Sequence, residues 1–424
     1  MSTPPPPQGP STQAPAPSAG PTPSTGPAPS TGPAPSAGPA PSTGPAPSSG
    51  PAPSQGPASA PFANGALALR LRGLGLVTSL ELRQRIRSRR WYVALGLWTV
   101  ALLLLGLVIL APTAMFTGYV AFRETSRVVF SLQMLLVLFA MLLVLPAMSA
   151  GSINGDRSAG TLATLQSSLV SPLEIVLGKL LAGWLTGLAF LLLALPSVLP
   201  TALLGGVGPL YLLRVLLVIS ALALCVTAVG LGLSAITARQ LGSVVLAYVA
   251  VFGVTVVGPI MWGSSAAFLQ EEREVTVYYD DYDFSDGTDD SWSQARCVRE
   301  LDERTVVRLD ISQPLIWPNP VLLLADVAPP MPPSTMSAAE ESWDLLQLMQ
   351  LGLRHATQPL HPSNFNNCSL DAEGYPSELG SPANRPIWPL GLGCWFLAGG
   401  ASLALATWRL AVPIRMLGKG IRIA

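Results

Sequence analysis

Charge is scarce in this chain. Only 11% of its residues are Asp, Glu, Lys or Arg, against 50% hydrophobic, which excludes an ordinary soluble domain and indicates a polytopic membrane protein. Histidine occurs twice, as His355 and His361, with no His-Glu-x-x-His frame around either, so a zinc protease is excluded. A phosphate-binding loop is missing as well. Gly178-Lys179 and Gly418-Lys419 have neither the preceding glycine spacing nor the following Ser or Thr that such a loop needs. No apolar run carries a carboxylate or histidine near its middle, the groups on which proton- and sodium-coupled carriers depend. The chain is therefore expected to bind no metal and no cofactor, and any driving energy has to come from another subunit.

The net charge of zero hides a segregation. Residues 269–386 hold 20 of the 24 acidic side chains and 7 of the 24 basic ones, so this segment is near −13 and the remainder near +13. Residues 1–62 have no charge and repeat Gly-Pro-Ala-Pro-Ser-Xaa from Gly26, Gly32, Gly38, Gly44 and Gly50. Such a stretch has nothing to bury against its ordering entropy and is expected to be a disordered tail. It has neither the basic start nor the apolar core of a signal peptide. A functional alternative is a spacer or a ligand for proline-binding modules.

From Leu67 to Tyr92, seven arginines (Arg70, Arg72, Arg83, Arg85, Arg87, Arg89, Arg90) alternate with leucines and other apolar residues. That pattern predicts a basic amphipathic helix on an anionic membrane surface. It abuts an apolar run directly, which argues against nucleic-acid binding. Six apolar runs follow, near Tyr92–Ala111, Val128–Met148, Glu174–Leu204, Leu210–Ile236, Leu241–Phe268 and Ile387–Val412. Each is long enough to cross a hydrocarbon core of about 30 Å. Pro196 and Pro200 in the third predict a kink or a re-entrant turn. The basic residues near run ends fall mostly on one side, with Arg123, Arg127 and Arg214 dissenting, which places both ends of the chain in the cytoplasm of a cell-membrane protein.

Residues 63–268 thus hold the basic helix and five spans, 269–386 an external acidic loop domain, and 387–424 the last span with a basic tail. In the acidic loop, Asp280 to Asp290 lack the spacing of a calcium loop and read as a solvated turn. Ser337 with Glu340 makes a capping box for a helix with Trp343, Leu346, Met349 and Leu353 on one face. Cys297 and Cys368 share this loop, and an even pair on an oxidising side favours a disulfide over free thiols.

The stretch Ile153 to Lys179 is built unlike a loose connector. Gly160 and Thr161 can start a helix, and Leu162, Leu165 and Leu169 then recur on one face. Ser171-Pro172 stops that helix and starts the next. Glu174 and Lys179 can pair as an interfacial charge pair or merely snorkel.

Asp156-Arg157, Gly160-Thr161-Leu162, Leu165, Ser171-Pro172, Glu174-Ile175 and Gly178-Lys179 together resemble the first cytoplasmic loop of ABC-2-type transport permeases. The family's usual Glu-Arg is Asp-Arg here. The resemblance covers loop 149–175 closely and the six-span layout in outline; the tail and most of the outer loop lie beyond it. Ile316 to Leu324, with Asn319-Pro320, resembles the family's outer Asn-Pro segment. The resemblance implies an all-α, six-span permease that acts with a second copy or a homologous permease. A separate ABC ATP-binding subunit would carry the ATP and Mg²⁺. Asp156, Arg157, Gly160, Thr161, Leu162, Leu165 and Leu169 would form the coupling contact to that ATPase, and the implied direction is export. Two other classes stay open: a non-transporting membrane scaffold or receptor subunit acting through its external domain, and a membrane enzyme, for which no nucleophile–base set is present.

Overall fold

The structure is a computed structural model that describes residues 69–160, 170–281, 296–330, 344–368 and 385–411, all within the unit Ser59–Ala424. The proline-rich tail, the acidic turn after Asp281, Ser337, Glu340 and Trp343 lie outside the described residues. Among the described residues, six helices are long and apolar enough to cross a membrane.

The chain opens with α1 (Leu71–Ile86), followed by the first apolar helix, α2 (Arg89–Phe116). The second is α3 (Tyr119–Ser149), which turns into the short α4 (Ser152–Ser158). The third and fourth, α5 (Pro172–Leu204) and α6 (Pro209–Ile236), each begin with proline, where its missing N–H costs nothing. The fifth begins as α7 (Gln240–Phe252). The last is α11 (Trp388–Ala411), which packs along α6. α5 is one continuous helix through Pro196 and Pro200, so the expected re-entrant turn is absent. Donors from α2 reach two carbonyls of α5 ahead of Pro196: Trp98 Nε1 to Phe190 O at 3.2 Å and Thr99 Oγ1 to Leu193 O at 3.2 Å.

The all-α expectation needs one correction. β1 (Gln270–Asp281) and β2 (Arg296–Val307) form an antiparallel pair, with Gln270 opposite Val307 and Asp281 opposite Arg296. The alternation of Val275, Val277 and Tyr279 with polar residues was the local signal. A disulfide joins Cys297 of β2 to Cys368, with Cα atoms 5.8 Å apart. The helix ends near this sheet are the sheet end of the bundle, and those near α1 and α4 the basic end.

Much of the long acidic segment is not peripheral. α9 (Pro320–Asp326) is buried in the main core, where Leu323, Leu324 and Ala325 join residues of α3, α5 and α6. Asp326 Oδ2 accepts the N–H groups of Ile387 (2.6 Å) and Trp388 (2.9 Å) at the start of α11, and its Oδ1 faces Arg354 at 3.3 Å. α10 (Leu345–Thr357) buries Leu346 and Leu353, with Met349 packed against the core. Its cap is Asp344, not Ser337, because the helix begins seven residues later and Asp344 Oδ1 accepts Leu346 N–H at 3.2 Å.

Asp344 also anchors α10 to the spans. Its Oδ2 accepts the hydroxyl of Tyr211 on α6 at 2.8 Å. Burial pushes this carboxyl up to about 6, while Tyr211, Leu346 N–H and the charge of Arg127 on α3 pull the other way. A folded value above the ordinary 3.8 means the folded state holds a proton that the unfolded state releases. This group's contribution is therefore largest below about pH 4 and is lost as pH rises through about 6. Thermal unfolding of the wild type relative to Asp344→Asn should show up to about 2 kcal/mol of such acid stabilisation. A difference that does not vary between pH 4 and 7 contradicts it.

The fifth apolar helix is interrupted. After α7 comes a π-turn, Gly253–Val257, and then α8 (Gly258–Ser264). Pro259 is the cause. It has no N–H for Thr255 O and its ring crowds that turn, while Gly258 N–H reaches back to Gly253 O and so releases Val254 O. Asn319, only 1% exposed, takes both carbonyls, with Nδ2 at 3.1 Å from Val254 O and 3.0 Å from Thr255 O. Its Oδ1 caps α9 by accepting the N–H groups of Val321 and Leu322. One amide therefore joins the break in the fifth apolar helix to α9.

Candidate functional site

The basic end gathers the charges that the sequence scatters over 100 positions. Ser171 caps α5 in a reciprocal box: its Oγ accepts Glu174 N–H at 3.2 Å, and its own N–H donates to Glu174 Oε2 at 2.8 Å. Glu174 Oε1 accepts Arg70 N–H at the start of α1. One buried carboxylate thus fixes the first turns of two helices. Gly178 lets them close together, since a Cβ there would lie 2.7 Å from Val77 of α1.

Glu174 and Lys179 do not pair with each other. Five positions on a helix place them roughly 140° apart around its axis, so they face different neighbours. Lys179, with 2% of its side chain exposed, binds Glu81 of α1 and lies 2.6 Å from Asp156 Oδ2 of α4. Arg85 lies on the inner face of α1 and not on its outer, basic side. It donates to Ala182 O at 2.9 Å and to Thr186 Oγ1 at 2.5 Å on α5. Burial lowers its pKa and the adjacent Glu81 raises it again, and the guanidinium stays charged.

α4 is fixed from the other side by Asn154, one polar residue among several in Ser152–Ser158 and not distinguishable from the others by sequence. Asn154 Nδ2 donates to Thr237 Oγ1 at 3.0 Å and Ser243 Oγ at 3.4 Å. The N–H groups of Ile153 and Asn154, left over at the start of a helix, both reach Ser234 Oγ at 3.2 Å. α4 is therefore bonded to α5, α6 and α7, and through Lys179 to α1.

The Asp156-Arg157 pair divides its work. Asp156 points inward to Lys179, while Arg157 is exposed and bonds Asn154 Oδ1 at 3.2 Å. Gly160 has φ +71°. It ends α4 in the left-handed conformation that favours glycine, and the helix expected to start at Gly160-Thr161 falls outside the described residues. Thr161, Leu162, Leu165 and Leu169 lie outside the described residues. No protein-family model matches this chain, and no curated protein matches it in sequence. At the other end, His355 and His361 serve local turns, with His355 Nδ1 2.6 Å from Asn364 Oδ1 and His361 Nδ1 2.8 Å from Ser363 Oγ. Among the described residues no cluster of three His, Cys, Asp or Glu side chains is suited to a metal.

The arrangement suits the transmission of force. A load applied to the segment after Gly160 meets a short helix whose inner face is held by charge-assisted and neutral hydrogen bonds to several spans.

Proposed function

We propose that this chain is the membrane-spanning permease subunit of an ABC-2-type exporter, driven by ATP hydrolysis in a separate subunit. The observation that carries the reading is Lys179 on α5, which holds Asp156 of α4 and Glu81 of α1 together. It makes the loop between the second and third spans part of the bundle's frame. On this reading the basic end faces the cytoplasm, by the excess of Arg and Lys there, and the sheet end with its disulfide faces outward. The ATPase would dock on the segment 161–169 and on exposed Arg157. Its closure would move α4, and α4 would carry α5 and α1 through Lys179, and α6 and α7 through Asn154.

Affinity purification of the full chain from its native membrane should bring down a subunit with a phosphate-binding loop. Replacing Leu165 with Asp should reduce that capture by tens of fold, equivalent to about 2 kcal/mol or more. Membrane insertion should be unchanged, and Gln166→Ala should behave as wild type. If Leu165→Asp retains the ATPase at the wild-type level, the coupling assignment is lost.

A further inference from the structure

A cavity of about 180 Å³ lies between α3, α6, α7 and α11. Its floor is formed by the buried Pro146, Gly230 and Ala247, and its mouth by the exposed Ala250 and Ala398. The lining is apolar throughout. The only side-chain polar atom in it, Trp395 Nε1, is used on Pro318 O at 2.8 Å. Val254, at the π-turn, also lines the cavity, and its freed carbonyl is taken by Asn319.

Water would find no hydrogen-bond partner in such a space. Apolar cavities of about 150 Å³ stay dry and accept ligands the size of benzene, and a void left empty forfeits the dispersion contacts of its walls. What stands beside the mouth is set by the neighbouring surface. Val249 and Phe252 on α7, and Phe396 and Leu397 on α11, are all more than half exposed. Such a surface is at home only in hydrocarbon.

We propose that this cavity binds the end of one acyl chain of a bilayer lipid, inserted between α7 and α11. The inference rests on reading the six apolar helices as membrane spans. The chain would lie against the π-turn, so its presence would bear on the same break in the fifth span that Asn319 holds from the other side.

The test uses the full-length protein in phosphatidylcholine vesicles doped with a lipid carrying a diazirine at the end of one acyl chain. After irradiation, adducts are mapped by peptide mass spectrometry. Adducts should be enriched at Ala247, Val251 and Trp395 over the exposed face of α2 at Leu103 and Leu107. Ala250→Trp fills the mouth from an exposed position and should lower the cavity adducts by about tenfold, with those on α2 unchanged. Ala398→Phe on the opposite lip should do the same. Cavity labelling no stronger than on α2, or indifferent to both substitutions, overturns the proposal. Absence of labelling on α2 as well overturns the membrane reading itself, and the proposal with it.

Discussion

Replacing Asn319 with alanine should cost about 4 kcal/mol of stability. The change removes the cap of α9, worth about 1 kcal/mol. It also leaves Val254 O and Thr255 O without the donor that now serves both, at about 1–3 kcal/mol for each buried group left unsatisfied. Asn319→Asp separates the two roles. The aspartate keeps an acceptor for the N–H groups of Val321 and Leu322, but it sets an oxygen against two carbonyls where Nδ2 now donates. Despite the retained cap it should be at least as damaging as alanine at neutral pH, because a buried charge facing acceptors is costly. It should recover in acid, where the protonated carboxyl can donate one hydrogen bond. Apparent unfolding temperatures in detergent, followed by tryptophan fluorescence at pH 7.5 and 5, measure all three forms. Equal stability of wild type and Asn319→Ala would show that the freed carbonyls find other partners.

Lys179→Met should cost about 3 kcal/mol, because it removes the cation that Glu81 and Asp156 share and leaves Glu81 only the more distant Arg85 at 3.9 Å. Asp156 keeps 26% of its side chain exposed, where water screens it, so most of the loss falls on Glu81. Glu81→Gln combined with Lys179→Met should be more stable than Lys179→Met alone, because the more buried carboxylate is then neutral. The proposed function adds a second readout. Lys179→Met should still capture the ATPase, whose proposed contact is segment 161–169 with Arg157, yet transmit less of its work to the apolar helices. A variant as stable as the wild type, with no gain from the second substitution, would mean that the charges at this end are solvated and do not join α4 to α1.

Several elements were legible because their causes are local. A run of apolar residues needs no partner to declare a span, and five of the six helices begin and end within five residues of where hydropathy places them, while the second starts at Tyr119, nine residues before Val128. Ser171, Pro172 and Glu174 specify the start of α5 within four positions, since a capping box is built from neighbours in sequence. Val275, Val277 and Tyr279 alternate with polar residues by the same kind of rule, but the partner strand β2 that makes them a sheet lies beyond residues 282–295. Gly160 also closes α4, a role that nothing in the sequence distinguishes from preceding a helix start. Only its positive φ distinguishes the two.

The sequence by itself thus determined which segments are apolar enough to be spans and, for five of the six, roughly where their ends lie. The tertiary structure decided what the leftover polar groups do. Local rules leave Lys179, one oxygen of Glu174, Asn154 and the two carbonyls near Pro259 without partners, and their partners stand 23 to 104 positions away or more than 60 positions along the chain. Such a group is costly to bury alone. Which distant group meets it depends on how the helices pack, and the spacing of residues along the chain does not contain that information.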